Sequence, residues 1–383
     1  MNDPLRKMAA KCLEGCRSLA DDGITTVYAP DAAGHYRGIY WRDFCYALEG
    51  FGEDIPVEHI EGAIRFILDA IDPGAILMPK SRQSDGSLGY NRDQNGQFRS
   101  ADNAFFAIKV VDMYLKRGGS PELFERYRNR LEPALLATNL SPRHLVQNDI
   151  GTSLYGFFDT INLTGEEAFV SVLFVEACFK IADALKRIGQ ENAAKHWHDR
   201  GLITCNALQQ LWVEEAGMLL SDTGTNQQID IWTSAYAAST DILPKEKSRR
   251  VADWLEQNWG SAVRWGHVRA IPSPEYWKGA SARHYPEIIP NGHYQNGGYW
   301  SIAAPWVMSA IIKQYPALAR QMARELEEAL VEFEMPETIN EDGSCKLPGY
   351  VASAAMGTLA LKIAMQRLIE SCNVNRNPHP ERP

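Results

Sequence analysis

Apolar residues recur at helical spacing along almost the whole chain, and no run alternates with the two-residue period of a half-buried strand. This leaves few folds open. The spacing predicts twelve helices, over 4–20, 42–51, 57–71, 102–116, 121–136, 166–188, 191–213, 231–240, 245–257, 298–314, 316–333 and 350–369. Start signals mark several of them: Ser120-Pro121, Tyr315-Pro316, and Glu166-Glu167 after Thr164-Gly165.

The connections alternate in length. Five short ones join ten helices into hairpins, and the first and last helices make the sixth pair. The segments that lead into the even-numbered helices, 22–41, 72–101, 142–165, 221–230, 258–297 and 335–349, are long, and most are rich in Gly, Asn, Asp, Tyr, Trp and Arg. Loops of that length normally carry function. Helices after short connections are amphipathic (RQMARELEEALVEF), whereas those after long loops carry apolar runs such as AFFAIKVVDMYL and AFVSVLFVEACF. The pattern describes an all-α fold, an (α/α)6 barrel whose inner ring is the apolar set and whose long loops open at one end. A solenoid of hairpins is the rival, but solenoid repeats keep a near-constant length and sequence. The barrel is expected to occupy 1–372 as one domain, with 373–383 (NVNRNPHPERP) a disordered tail.

Composition narrows the function classes. A net charge of −9 over 383 residues lacks the basic face that nucleic acid requires. No apolar run approaches the roughly 20 residues of a membrane span, and the first fifteen residues are amphipathic rather than signal-like. The seven cysteines are odd in number and scattered, which favours free thiols and a cytoplasmic setting. Cys12 and Cys16 lie one turn apart without further metal-ligating neighbours. Oligomeric state is not encoded in any of this.

If the long loops share one end, their polar and aromatic residues converge. The segment HYPEIIPNGHYQNGGYW, 284–300, sets His293, Tyr294, Gln295, Asn296 and Trp300 among turn residues. Sugars stack on aromatic faces while their hydroxyls bond to amides and carboxylates. Tyr40-Trp41-Arg42-Asp43 adds a stacking face and an Arg-Asp pair suited to vicinal hydroxyls. Ser100-Ala101-Asp102-Asn103, Phe157-Phe158-Asp159, Asp230-Ile231-Trp232, and Pro336-Glu337-Thr338 with Tyr350 complete the set. Asp43, Asp102 and Asp230 also stand where helix caps belong. Trp265, Trp277 and Trp300 flank the mouth loops, whereas Trp197, Trp212, Trp254 and Trp259 read as core.

Cleaving a glycosidic bond takes two carboxyl groups, one protonated to donate to the leaving oxygen and one ionised to activate water or attack. Asp159 is the acid candidate, because its apolar flank raises a carboxyl pKa. Glu337 is the base candidate. Glu166 and Glu167 compete with the first, and Glu341 with the second.

Trp41–Asp43 (WRD), SADNAFFAI from Ser100, FFD at 157–159 followed by GEEAF, YQNGGYW at 294–300, and Glu337 followed by GYVASAAM occur in that order. The series resembles the six-hairpin glycosidases: the α-1,6-glucosidase domain of glycogen debranching enzyme, trehalases, and processing α-glucosidases related to mannosylglycerate and glucosylglycerate hydrolases. The likeness runs from about residue 28 to 364 and is specific for the superfamily, not for one substrate. It implies an (α/α)6 barrel, anomeric inversion, no metal or other cofactor, Asp159 as general acid, Glu337 as general base, and Arg42 and Asp43 gripping the sugar. The β-sandwich domain of many relatives has no counterpart in this chain.

The expected function is therefore an inverting, exo-acting glycoside hydrolase on a small carbohydrate. Arg37, Arg42, Arg82, Arg92, Arg99, Lys278 and Arg283 in the mouth loops raise the option of an acidic one. Alternatives are an inverting phosphorylase with Arg283 and His284 at phosphate, an epimerase using His284 and His293, an unsaturated-uronide hydrolase, or a non-catalytic carbohydrate-binding protein.

Overall fold

The computed structural model describes residues 1–91, 100–149, 155–279 and 289–376, with side chains of the last helix described through Arg367. Arg92, Arg99, Arg283, His284, Tyr285 and residues 377–383 lie outside that set. The helices in chain order are α1 (Asp3–Cys16), α2 (Trp41–Phe51), α3 (Val57–Leu68), α4 (Asp102–Lys116), α5 (Pro121–Leu136), α6 (Ala168–Arg187) and α7 (Glu191–Ala207). They continue with α8 (Ile231–Ser239), α9 (Lys245–Gln257), a single turn α10 (Trp259–Ala262), α11 (Ala304–Ile311), α12 (Pro316–Glu332) and α13 (Val351–Arg376).

Packing closes six of them into a ring: α2 on α4, α4 on α6, α6 on α8, α8 on α11, α11 on α13, and α13 back on α2. The others lie outside as partners, with α7 against α6, α9 against α8 and α12 against α13. Burial follows the apolar pattern. Inner α4 buries thirteen of its 15 residues, while outer α9 buries only Val251, Ala252 and Leu255 of 13. This is an (α/α)6 barrel. Pro sits in the first turn of α1, α5 and α12, and side chains of Asn2, Ser120 and Asp230 cap α1, α5 and α8.

Several boundaries differ from the sequence expectation, each for a backbone reason. The expected helix 298–314 begins only at Ala304, because the Tyr299 and Trp300 amides donate to the carbonyls of Ile339 and Val268. The expected helix 191–213 ends at Ala207, passes through a 3₁₀ turn and finishes as a strand, Trp212–Val213, paired with Met218–Leu219. The last helix runs to Arg376, into residues expected in the tail. Thirteen strands of two or three residues form six small sheets among the described residues, all in the segments that lead into inner helices. They are too short to leave a periodic signature, yet they pair the loop backbone groups that burial at the rim would otherwise orphan.

At the other end of the ring an ion network closes the interior. The Lys109 ammonium lies 2.9 Å from both Glu49 and Glu176 and 2.6 Å from the Tyr236 hydroxyl, and Lys180 joins Glu176 to Asp112. Among the described residues no helix is long and apolar enough to cross a membrane, and no group of three metal-ligating side chains gathers.

Candidate active site

A cavity of about 370 Å³ opens among the loops at the N-terminal ends of the inner helices. Its walls come from the segments leading into α2, α4, α6, α11 and α13. Nine of the residues singled out in the sequence line it: Tyr40, Arg42, Asp43, Asp159, Tyr294, Gln295, Trp300, Glu337 and Tyr350. Five do not. Trp41 is buried in the core, its amide bonded to the Lys80 carbonyl. Asp102 is buried behind Arg42, taking its guanidinium at 2.7 Å and the Ser100 hydroxyl at 2.9 Å. Trp232 lies beneath the cavity, its indole N–H on the Val268 carbonyl. Asn296 ties its own loop together through Trp277, Ile289 and Asn291. His293 faces Asp342 at 3.8 Å on the rim.

The rival carboxyls also lie elsewhere. Glu166 is engaged by Arg143 and Ser141, Glu341 by Arg269 and the Tyr276 hydroxyl, and Glu167 is buried at the start of α6. Asp230 caps α8, whereas Asp43 accepts from the Tyr350 hydroxyl at 2.6 Å. Of the mouth cations foreseen, Arg42 alone among the described residues lines the cavity; Arg82 turns to the Phe66 and Gly86 carbonyls. Trp277 is buried, and Trp265 packs on Tyr299 and Phe333 at a separate groove.

Asp159 is fixed from both sides. Arg42 donates to the Gly156 carbonyl at 3.0 Å and to Phe157 at 3.1 Å. Gln295 takes the Thr160 amide at 2.9 Å and its hydroxyl at 2.8 Å, and donates to the Phe157 carbonyl. Beneath it Phe157 and Phe158 pack edge-on or tilted against Trp232, with Trp300, Phe169 and Trp306 completing an aromatic floor. Burial raises the Asp159 carboxyl above its ordinary range, and the charges of Arg42, Lys346 and Lys80 pull the other way.

Glu337 stands on the hairpin Thr338–Ile339 with Cys345–Lys346, its amide bonded to the Lys346 and Leu347 carbonyls. The Tyr294 hydroxyl donates to Oε1 at 3.1 Å, and the Lys346 ammonium lies 3.0 Å from Oε2. That ammonium also sits 3.4 Å above the Tyr294 ring. Burial pushes Glu337 up to about 7, opposed first by Lys346 and reinforced by the charge on Asp159. Tyr294, Glu334 and Met335 hold positive φ of 45°, 56° and 52°, a local strain of about 1–3 kcal/mol per residue around this carboxyl.

Sequence reasoning missed Lys80, Lys346, Tyr36, Tyr46 and Asn91. All but Lys346 line the cavity. Among the described residues the Arg42 Nε and the Tyr46 hydroxyl, both at the cavity, have no protein hydrogen-bond partner. They are donors without an acceptor.

Neither a protein-family model nor a curated protein matches the sequence. Solved structures do match in shape. A GH63 mannosylglycerate hydrolase from Thermus thermophilus, in complex with glucose, is 14% identical with a TM-score of 0.67, over 95% of this chain and 100% of that one. An uncharacterized conserved protein from the same organism is 14% identical with a TM-score of 0.66, over 93% and 99%. A rhamnosidase from Klebsiella oxytoca with rhamnose bound is 13% identical with a TM-score of 0.62, over 95% of this chain and 64% of its own. At such identities the likeness establishes the fold, and the chain has the six-hairpin, (α/α)6-barrel architecture.

Proposed function

We propose that this protein is an inverting, exo-acting glycoside hydrolase for a small carbohydrate, with Asp159 as general acid and Glu337 as general base. The observation that carries the reading is a pair of carboxyls, Asp159 and Glu337, both raised by burial and lining one cavity with unfilled hydrogen-bond donors. The roles are divided as the motif resemblance implies: Lys346 and the Tyr294 phenol support an ionised Glu337, and Asp159 rests on an apolar floor while the charges of Arg42, Lys346 and Lys80 face it. The cavity is at the low end of the about 300–1,000 Å³ usual for ligand sites, which suits one sugar ring and a small leaving group. The aromatic floor beneath gives no passage for a chain, which suits exo action.

Lys80 favours a second, narrower reading in which the substrate is anionic. Its ammonium is half-buried at the cavity and has no hydrogen bond or ion pair among the described residues. A mannosylglycerate hydrolase structure of this fold holds D-glycerate, an acid of suitable size.

The test is product-anomer NMR on α- and β-glucosides, mannosides and glycosyl-glycerates. One panel member should be turned over with inversion, independently of added phosphate. Asp159→Asn and Glu337→Gln should each lower kcat/KM by about 10²–10⁴-fold. Because the base must be ionised, kcat/KM should rise as pH passes upward through about 7. Retention at the anomeric centre, or full activity in either variant, would sink the assignment; binding without any turnover would make the protein a carbohydrate binder. Equal kcat/KM on neutral and acidic substrates would remove the anionic reading alone.

A further inference from the structure

Lys346 belongs to no motif and reaches the site by an indirect route. Asn340 to Ser344 turn the chain through Asp342-Gly343, and the returning strand sets Lys346 opposite Thr338, next to Glu337. Its side chain is 41% exposed, so this cation lies at the rim, yet its tip is fixed between the Glu337 carboxylate and the face of Tyr294. The groups facing Glu337 come from four elements. Asp159 approaches from the loop before α6 and Tyr294 from the loop before α11. Tyr350 stands at the start of α13, bonded to Asp43 of α2, and Lys346 shares the hairpin. Only Lys346 among them is a cation touching the carboxylate. Arg42 and Lys80 act on Asp159, as Lys346 also does.

We propose that Lys346 is the positioning residue for Glu337: its ammonium, laid over Tyr294, keeps that side chain as the carboxylate able to accept a proton from water. The inference rests on the reading of Glu337 as base. In the step it serves, a water O–H bond breaks and its proton passes to Glu337. The water oxygen bonds to the anomeric carbon as the glycosidic C–O bond breaks, and the Asp159 proton goes to the leaving oxygen. Lys346 keeps its own proton throughout. Its effect is a compromise: burial works against the charge on Glu337, and the ammonium offsets part of that cost at the expense of some basicity.

The experiment uses the full chain labelled with carboxyl-13C glutamate and no substrate, so it does not depend on knowing the sugar. The Glu337 resonance is identified by its loss in Glu337→Gln. In Lys346→Met its titration midpoint should move up by at least about one pH unit, a tenfold loss of ionised form at a given pH below the midpoint. Lys346→Arg should bring the midpoint most of the way back. Should the methionine variant not fold, Lys346→Gln gives the same comparison. An unmoved midpoint in either neutral variant overturns the proposal. Activity retained in Glu337→Gln would sink the base assignment separately, without altering the titration result.

Discussion

Arg42 donates to three acceptors on two segments: the Asp102 carboxylate and the carbonyls of Gly156 and Phe157, just ahead of Asp159. A planar, forked guanidinium can do this, whereas a lysine ammonium is a single point on a flexible stem. Arg42→Lys should keep the ion pair and lose the carbonyl contacts. The expected cost is about 3 kcal/mol in stability, and a drop of about 100-fold in kcat/KM as the acid drifts from position. Chemical denaturation and kinetics check the two; a variant matching the parent in both would show that Gln295 alone holds the loop. The same residue explains what was legible. WRD and FFD stand out in the sequence because Arg42 holds the Phe157 carbonyl, two residues before Asp159, across 115 residues. Lys80 and Lys346 stand out in nothing. A lysine in a loop looks solvated until the partner strand is known, although Asp342-Gly343 is a hairpin signal that would have returned Lys346 toward Glu337. Trp41 and Trp232 look like site residues in the sequence because they border polar loops, but a buried ring stabilises the barrel floor wherever it finds neighbours.

Among elements, the seam between α2 and α13 closes the ring, and it depends on closeness. A Cβ at Gly50 would meet the Ala355 carbonyl oxygen at 2.0 Å and its carbon at 2.3 Å, backbone that cannot step aside. Gly62 of α3 has nothing within 4 Å of that position. One substitution therefore has opposite signs on neighbouring helices. Gly50→Ala should destabilise by about 3 kcal/mol or more through overpacking. Gly62→Ala should stabilise by about 0.5–1 kcal/mol, the helix-propensity gain. Denaturant midpoints decide it, and a neutral Gly50→Ala would mean that α2 and α13 can separate without loss. The helices themselves were legible where local pattern governs: α4, α5 and α9 begin and end where apolar spacing and start signals put them. Where a distant strand claims backbone amides, as Ile339 and Val268 do at Tyr299 and Trp300, local pattern loses to a partner that the sequence does not reveal.

For the whole molecule, the cavity end and the network end respond to pH with opposite sign. At the cavity end burial raises carboxyls above their unfolded values: Glu337 from 4.5 to about 7, Glu167 from 4.5 to about 8, and the α8 cap Asp230 from 3.8 to about 6. Between those values the folded protein binds protons that the unfolded chain releases, so stability falls as pH rises toward 8 and is regained as pH falls toward 5. At the network end Lys109 and Lys180 lower Glu176 from 4.5 to about 2. That contribution is complete above the unfolded value and disappears as pH drops from about 4.5 through about 2. Together the two ends place maximum stability near pH 5, below neutrality. A Glu337 shift of this size corresponds to about 3 kcal/mol at pH 8, so Glu337→Gln should be more stable than the parent at pH 8 and similar to it at pH 5. Thermal unfolding of both proteins between pH 4 and 8 checks this. A parent most stable at pH 8, or a glutamine variant with the same pH slope, would mean that the cavity accommodates the Glu337 charge without cost. Glu167, Asp230 and the network would then carry the pH dependence of stability, and the strain at Tyr294, Glu334 and Met335 would have no electrostatic counterpart.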